Sequence, residues 1–151
     1  MDLKVMRATE TWQQAGAYYV RVQAMARKYH ITLREEFDEH DTPSTKYIVL
    51  LDGEFPVATC RLYEMQVRDG EAPSMMLGRV VVLPEYRKQG LGSHAVTEAE
   101  KWARELGSRT AVLDSRDVAV GFYEKLGYVP DPDRRAQEDT FPCIPMKKAL
   151  D

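Results

Sequence analysis

Apolar and polar residues alternate over residues 3–7, the period of a strand with one buried face. The period then lengthens. Trp12, Ala15, Tyr19, Val22 and Met25/Ala26 recur at helical spacing, and Thr9 or Thr11 supplies an N-cap. A helix is expected over about residues 11–27 with that stripe inward. Residues 31–44 are charged and end in Thr42-Pro43-Ser44, which reads as a short helix or loop followed by a turn. Residues 46–51 and 56–63 read as strands joined at Asp52-Gly53, a hairpin dipeptide. Residues 75–83 are almost continuously apolar, as in a strand covered on both faces, and Pro84 ends the run. After Gly90 and Gly92, a stripe of Leu91, Ala95, Ala99, Trp102 and Leu106, widened by Val96 and Ala103, predicts an amphipathic helix stopped by Gly107. A short strand over 110–113, a helix over 118–126 closed by Gly127, a strand starting at Tyr128-Val129, a loop over 130–138 and a strand over 144–148 complete the chain.

The strand–helix–strand unit over 75–113 calls for a right-handed parallel crossover, whereas the hairpins before it are antiparallel. The expectation is an α/β domain around a mixed sheet. With 151 residues, no repeat and no linker, one domain over 1–151 is expected.

Composition narrows the function. A formal net charge of -3 argues against a general nucleic-acid binder, which carries a basic stripe. Cys60 and Cys143 do not make a disulfide framework and read as small buried side chains. No run is long and apolar enough to span a membrane, and the first residues lack a secretory pattern. A cytoplasmic location with no membrane partner is the default expectation. His30, His40 and His94 lack ligand spacing, so no metal site is expected.

The chemistry concentrates at Leu83-Pro84-Glu85-Tyr86-Arg87-Lys88-Gln89-Gly90-Leu91-Gly92-Ser93, which joins the buried strand to the long helix. The first turn of a helix presents unpaired N–H groups and the positive end of its dipole. Glycines let a phosphate approach that backbone, and Arg87 and Lys88 add charge. The segment lacks the third glycine of a dinucleotide fold and the Gly-Lys-Ser/Thr of a triphosphate loop. It reads as a pyrophosphate site, the alternative being a tight glycine-capped turn.

The same residues carry a resemblance. The run from Gly78-Arg79-Val80-Val81-Val82 through Gly92 resembles the central motif of GCN5-related N-acetyltransferases, a strand followed by (Arg/Gln)-x-x-Gly-x-(Gly/Ala), with Arg87, Gly90 and Gly92 at its defining positions. Ser115 to Tyr128, including Phe122-Tyr123-Glu124-Lys125-Leu126-Gly127, resembles the second cofactor-side motif of the family. Glu36-Phe37-Asp38-Glu39-His40-Asp41 and Pro56 to Leu62 are similar to the ElaA-like and YjcF-like bacterial subfamily. That subfamily usually has a Glu-Gln pair where this chain has Lys28-Tyr29, and often Gly-Ile-Pro-His where this chain has Thr140-Phe141-Pro142-Cys143.

The resemblance implies a mostly antiparallel central sheet with one splayed parallel strand pair and flanking helices. It implies acetyl-CoA as acyl donor, bound by Val80, Val81, Val82, Arg87, Lys88, Gln89, Gly90, Leu91, Gly92, Ser93, Ser115 and Phe122. Backbone N–H groups near Val81 and Val82 would face the thioester carbonyl. Tyr123 falls where the family places the acid that protonates the departing thiolate, a role a phenol can fill; otherwise it is a core tyrosine. For the base, Glu36 and Asp38 gain from the subfamily match, and His40, expected among the residues that bind the acceptor, has a suitable ordinary pKa. Arg61 and Arg79 would suit an anionic group on the acceptor, or else pair with the acidic cluster. The implied activity is acetyl transfer to a primary amine, a small molecule or a peptide, by direct attack in a ternary complex. A homodimer through sheet edges is compatible with the family. The competing reading is an acyl-CoA sensor without turnover, separable by CoA release with a panel of amines.

Overall fold

The computed structural model describes residues 1–137 and 139–151. In chain order the elements are β1 (Leu3–Ala8), α1 (Thr11–Arg21), a π-helical turn (Val22–Ala26), α2 (Arg27–Tyr29), α3 (Leu33–Glu36), β2 (Lys46–Asp52), β3 (Phe55–Met65), β4 (Ser74–Val82), α4 (Leu91–Glu105), β5 (Thr110–Arg116), α5 (Val120–Lys125), β6 (Val129–Pro130) and β7 (Cys143–Ala149). Single-turn 3-10 helices precede α4 and α5. The strands form one sheet in the order β1-β2-β3-β4-β5-β7-β6. All neighbours are antiparallel except β4 and β5.

The sheet is covered on both faces, which the alternation in β2 makes visible. Tyr47 and Val49 pack with Ala17 of α1, whereas Ile48 and Leu50 join the larger core with Ala95, Ala99 and Trp102 of α4. Leu106, expected to extend the α4 stripe, is instead its exposed C-cap.

The inward face of α1 differs from the expected stripe. Trp12 and Tyr19 are exposed, and the buried face is Gln14, Gly16, Ala17, Val20 and Arg21. The reason is packing distance. A Cβ on Gly16 would lie 3.3 Å from the Pro56 ring and 3.4 Å from a Val49 methyl. So close an approach leaves no room for a larger side chain at position 16, and the large aromatic ones of the helix turn outward.

Two features of β4 shape the space beside it. Its parallel ladder with β5 covers only Ser74↔Thr110 to Leu77↔Leu113, although both strands continue. Its register with β3 slips: Thr59 faces Val81 and Arg61 faces Gly78, so Arg79 and Val80 share the single partner Cys60. This is a β-bulge, and Arg79 sits in it with a left-handed φ of 49°. The bulge turns the second half of β4 away from β5, while β5 stays paired to β7 along its whole length. The two parallel strands therefore part beyond Leu77 and Leu113.

Candidate active site

A cleft of about 200 Å³ opens where β4 and β5 part. Leu77 to Val81 form one wall, and Leu113, Asp114 and Arg116 the other. Tyr123 reaches in from α5, Met25, Ile31, Glu35 and Glu36 from the N-terminal helices and the link between α2 and α3, Phe141 from the segment leading into β7, and Cys143 from the start of β7. Past Leu77, the edge of β4 facing the gap has no β5 ladder to satisfy its peptide groups.

Next to the cleft lies the start of α4. Lys88 and Gly90 adopt positive φ values of 64° and 76°, which curl the backbone so that successive N–H groups converge. The amides of residues 88 to 93 meet no protein acceptor among the described residues, and α4 has no side-chain N-cap. This is a cradle for an anion at the positive end of a 15-residue helix. Arg87, Lys88 and Gln89 are exposed around it. The side chain of Leu91 is buried in the core, so only its amide is offered. Gly92 lies against the same surroundings: a Cβ there would make ordinary contact with the Phe122 ring at 3.4 Å and Val82 at 3.8 Å, and a longer side chain would reach over the cradle. Phe122 and Val82 thus stand beside the start of α4, Val82 one residue past the Val81 wall of the cleft. Ser115 does not line the cleft; its side chain is buried and its hydroxyl donates to the Arg116 carbonyl at 2.8 Å. Its expected part in holding the cofactor is corrected on that ground.

Tyr123 is 9% exposed, packed edge-on against Phe122 and Tyr128. Its hydroxyl has no hydrogen-bond partner among the described residues, yet it is not sealed from solvent. Burial, with Cys60 and Cys143 nearby, pushes the phenol pKa well above its ordinary value. The group is therefore protonated at neutral pH.

The acidic run is tied into a guanidinium network. Arg21, 0% exposed, donates to Glu36 Oε2 at 2.9 Å, to the Glu36 carbonyl at 2.8 Å, and to both oxygens of Asp41 at 2.6 and 3.0 Å. Arg61 pairs with Asp38 at 2.8 Å and Asp41 at 3.1 Å. Arg79 pairs with Asp38 at 3.2 Å and Asp139 at 3.1 Å, and approaches Glu36 at 3.9 Å. Arg61 and Arg79 are therefore committed to this network, the second of the two readings the sequence left open for them. Sequence reasoning missed Arg21 and Asp139. Arg21 could have been found as the one charge on the small-residue face of α1.

The three carboxylates differ. Burial raises Asp41 and Asp38, but hydrogen bonds and charge from Arg21 on the first, and from Arg61 on the second, outweigh it and hold both below the ordinary range. Asp38 is consequently a poor base, contrary to expectation. Glu36 is 3% exposed, and burial prevails over Arg21 and Arg79, so its pKa is raised. Its Oε2 takes these contacts, its Oε1 makes no hydrogen bond among the described residues, and the side chain lines the cleft. His40 stacks on Tyr63 at 4.1 Å and lines a different groove with Thr45 and Leu62, outside the cleft, which corrects its expected acceptor role.

These shifts set the acid stability. For Asp38 and Asp41 the folded pKa lies below the unfolded value of about 3.9. Their contribution is full above the unfolded pKa and is lost as pH falls through the folded one. Glu36, shifted upward, works in the opposite sense and offsets part of this. The melting temperature is expected to fall steeply below about pH 4, and Asp41→Asn should flatten that slope. Thermal unfolding between about pH 6 and 2 checks this; an unchanged slope in the variant would remove Asp41 from the account.

Comparison with known proteins bears on this geometry. Residues 7–128 match the model of the acetyltransferase (GNAT) family. The uncharacterized N-acetyltransferase YjcF of Bacillus subtilis is 30% identical over 146 residues, covering 97% of this chain and 99% of the relative. A crystal structure of a candidate N-acetyltransferase from Lactobacillus plantarum aligns with a TM-score of 0.84 at 30% identity, over 99% of both chains. The PaiA N-acetyltransferase of Thermoplasma acidophilum, solved in complex with coenzyme A, shares the fold with a TM-score of 0.69 at 16% identity, over 99% of both chains.

Proposed function

The chain belongs to the GNAT family of acetyltransferases, and from that premise we propose that it moves the acetyl group of acetyl-CoA to a primary amine by direct attack in a ternary complex. The observation that carries this reading is the continuity of two openings. The amide cradle at residues 88–93 leads over Gly92 into the gap between β4 and β5. A polyphosphate at the cradle and a thioester in the gap are the two ends of one donor. The cradle amides, Arg87 and Lys88 hold the phosphates. Peptide N–H groups of β4 around Val80 to Val82 steady the negative charge that grows on the thioester oxygen.

Two protons must move. The attacking nitrogen loses one, and Glu36 Oε1 is the acceptor that fits, because its raised pKa gives it affinity for a proton. The departing sulfur gains one, and the Tyr123 hydroxyl, protonated and without another partner, supplies it. Holding both reactants in one cleft supplies the rest, and no covalent enzyme intermediate is required.

Calorimetric titration with acetyl-CoA, followed by CoA release with primary amines, tests the reading; an absence of binding would end it. Glu36→Gln is expected to lower kcat/KM for the amine by roughly 10²-fold while acetyl-CoA affinity holds. Asp38→Asn should act mainly on stability, through its ion pairs with Arg61 and Arg79. Steady-state kinetics of both variants decide between them: equal losses of turnover would remove Glu36 from its special role.

A further inference from the structure

An acid has to be aimed as well as protonated. No hydrogen bond among the described residues orients the Tyr123 hydroxyl, so its direction is set by whatever holds the ring. The helix that carries it cannot do this alone, because α5 has only six residues, too few to be stable by themselves.

The ring has two aromatic neighbours, Phe122 at 4.9 Å and Tyr128 at 5.9 Å, both edge-on. They are not equivalent. Phe122 is 36% exposed, and its ring is free to adjust. Tyr128, just before β6, is 1% exposed and fastened at both ends. Its amide donates to the Tyr123 carbonyl at 3.1 Å, and its hydroxyl donates to Glu100 Oε2 of α4 at 2.7 Å. Lys148 of β7 in turn donates to both oxygens of Glu100, at 3.0 and 3.2 Å. The wall against which Tyr123 leans is thus pinned to α4 and β7.

Stability alone does not call for this arrangement. Glu100 is 3% exposed, and a buried charge with its partners can often be exchanged for apolar residues of similar volume without loss. What a short hydrogen bond to a carboxylate adds is direction. Neither Glu100 nor Tyr128 lines the cleft, so both reach the chemistry only through the Tyr123 ring.

We infer that Tyr128 and Glu100 are positioning residues for the proton transfer: the hydroxyl–carboxylate bond fixes the Tyr128 ring, and that ring fixes the angle at which Tyr123 meets the departing sulfur. This rests on the acid role given to Tyr123 above. Misplacing a reacting group by about an ångström costs up to about 10²-fold in rate.

The test is a double-mutant cycle on the full chain, with acetyl-CoA as donor and butylamine as the probe amine. Tyr128→Phe keeps the ring and leaves Glu100 paired with Lys148. It is expected to lower kcat roughly tenfold, with acetyl-CoA affinity by calorimetry unchanged. In a Tyr123→Phe background the same substitution should cost nothing further, because the group it positions is gone. A merely structural role would cost the same in both. Glu100→Gln keeps an acceptor for the Tyr128 hydroxyl and should retain most of kcat. Glu100→Leu should repeat the loss, and it completes the cycle if Tyr128→Phe does not fold. A second readout needs no acceptor. In protein labelled at the tyrosine ring carbons, the Tyr123 signal is the one missing from Tyr123→Phe, and NMR relaxation should show that ring moving more freely in Tyr128→Phe. Equal losses in both backgrounds, a wild-type kcat in Tyr128→Phe, or unchanged motion of the Tyr123 ring would each overturn the inference. A wild-type kcat in Tyr123→Phe is a separate result; it strikes the acid role and this inference with it.

Discussion

Tyr123→Phe is expected to lower kcat by about 10²–10⁴-fold, the usual cost of losing a general acid. The fall should appear equally in kcat/KM, because the lost interaction exists only in the transition state. Acetyl-CoA affinity should hold. The ring keeps its edge contacts with Phe122 at 4.9 Å and Tyr128 at 5.9 Å, and the deleted hydroxyl has no protein partner among the described residues, so stability should change little. Burial also shapes the pH profile. The Tyr123 phenol lies above its ordinary pKa, so the wild type should show no alkaline loss of activity from this group near pH ~10, where an ordinary tyrosine ionises. Steady-state kinetics across pH at saturating free amine make the test. Retention of wild-type turnover would leave Tyr123 as a packing residue of α5.

Arg87→Ala combined with Gly92→Asp is expected to abolish acetyl-CoA binding. A ligand at 100 times its Kd stabilises the native state by about 2.7 kcal/mol, and that increment should vanish in the variant. Two effects combine. A side chain at Gly92 reaches over the cradle beside Phe122 and Val82, and a carboxylate there repels phosphate from the unpaired amides of residues 88–93. An acidic side chain in the first turn of a helix is itself favourable, so α4 should persist. Loss of binding would then not be loss of fold. Thermal unfolding with and without acetyl-CoA reads the difference, and a shift of wild-type size in the variant would refute the cradle.

The order of elements was legible because the periods of burial are local. The changes from alternation to helical spacing mark β1, α1, α4 and the closing strands to within a few residues. The cradle was legible too, because helix onset, glycine and basic residues are adjacent in the chain. What escaped depends on distances between elements. The inward face of α1 is set by how near Gly16 comes to Pro56, which no property of α1 alone reveals. β5 extends to Arg116, three residues beyond its apolar run, because its ladder with β7 continues through Asp114↔Pro145, Ser115↔Ile144 and Arg116↔Cys143. Whether Arg61 and Arg79 served a substrate or the acidic run was undecidable until Asp38, Asp41 and Asp139 had positions.

The bulge at Arg79 has a consequence for how such a cleft is inherited. Two residues stand where one would complete the ladder, so the gap depends on a count of residues and not on their kinds. Many side chains at 79 and 80 would leave the count intact, glycine at 79 most easily given its φ of 49°. Deleting either residue would close the register against β3 with every later side chain keeping its facing, and would remove the bend that takes β4 away from β5. Point substitutions thus leave the cleft open to new acceptors, while a single codon lost here removes it at once. Drift in sequence is cheap at this position and drift in length is not.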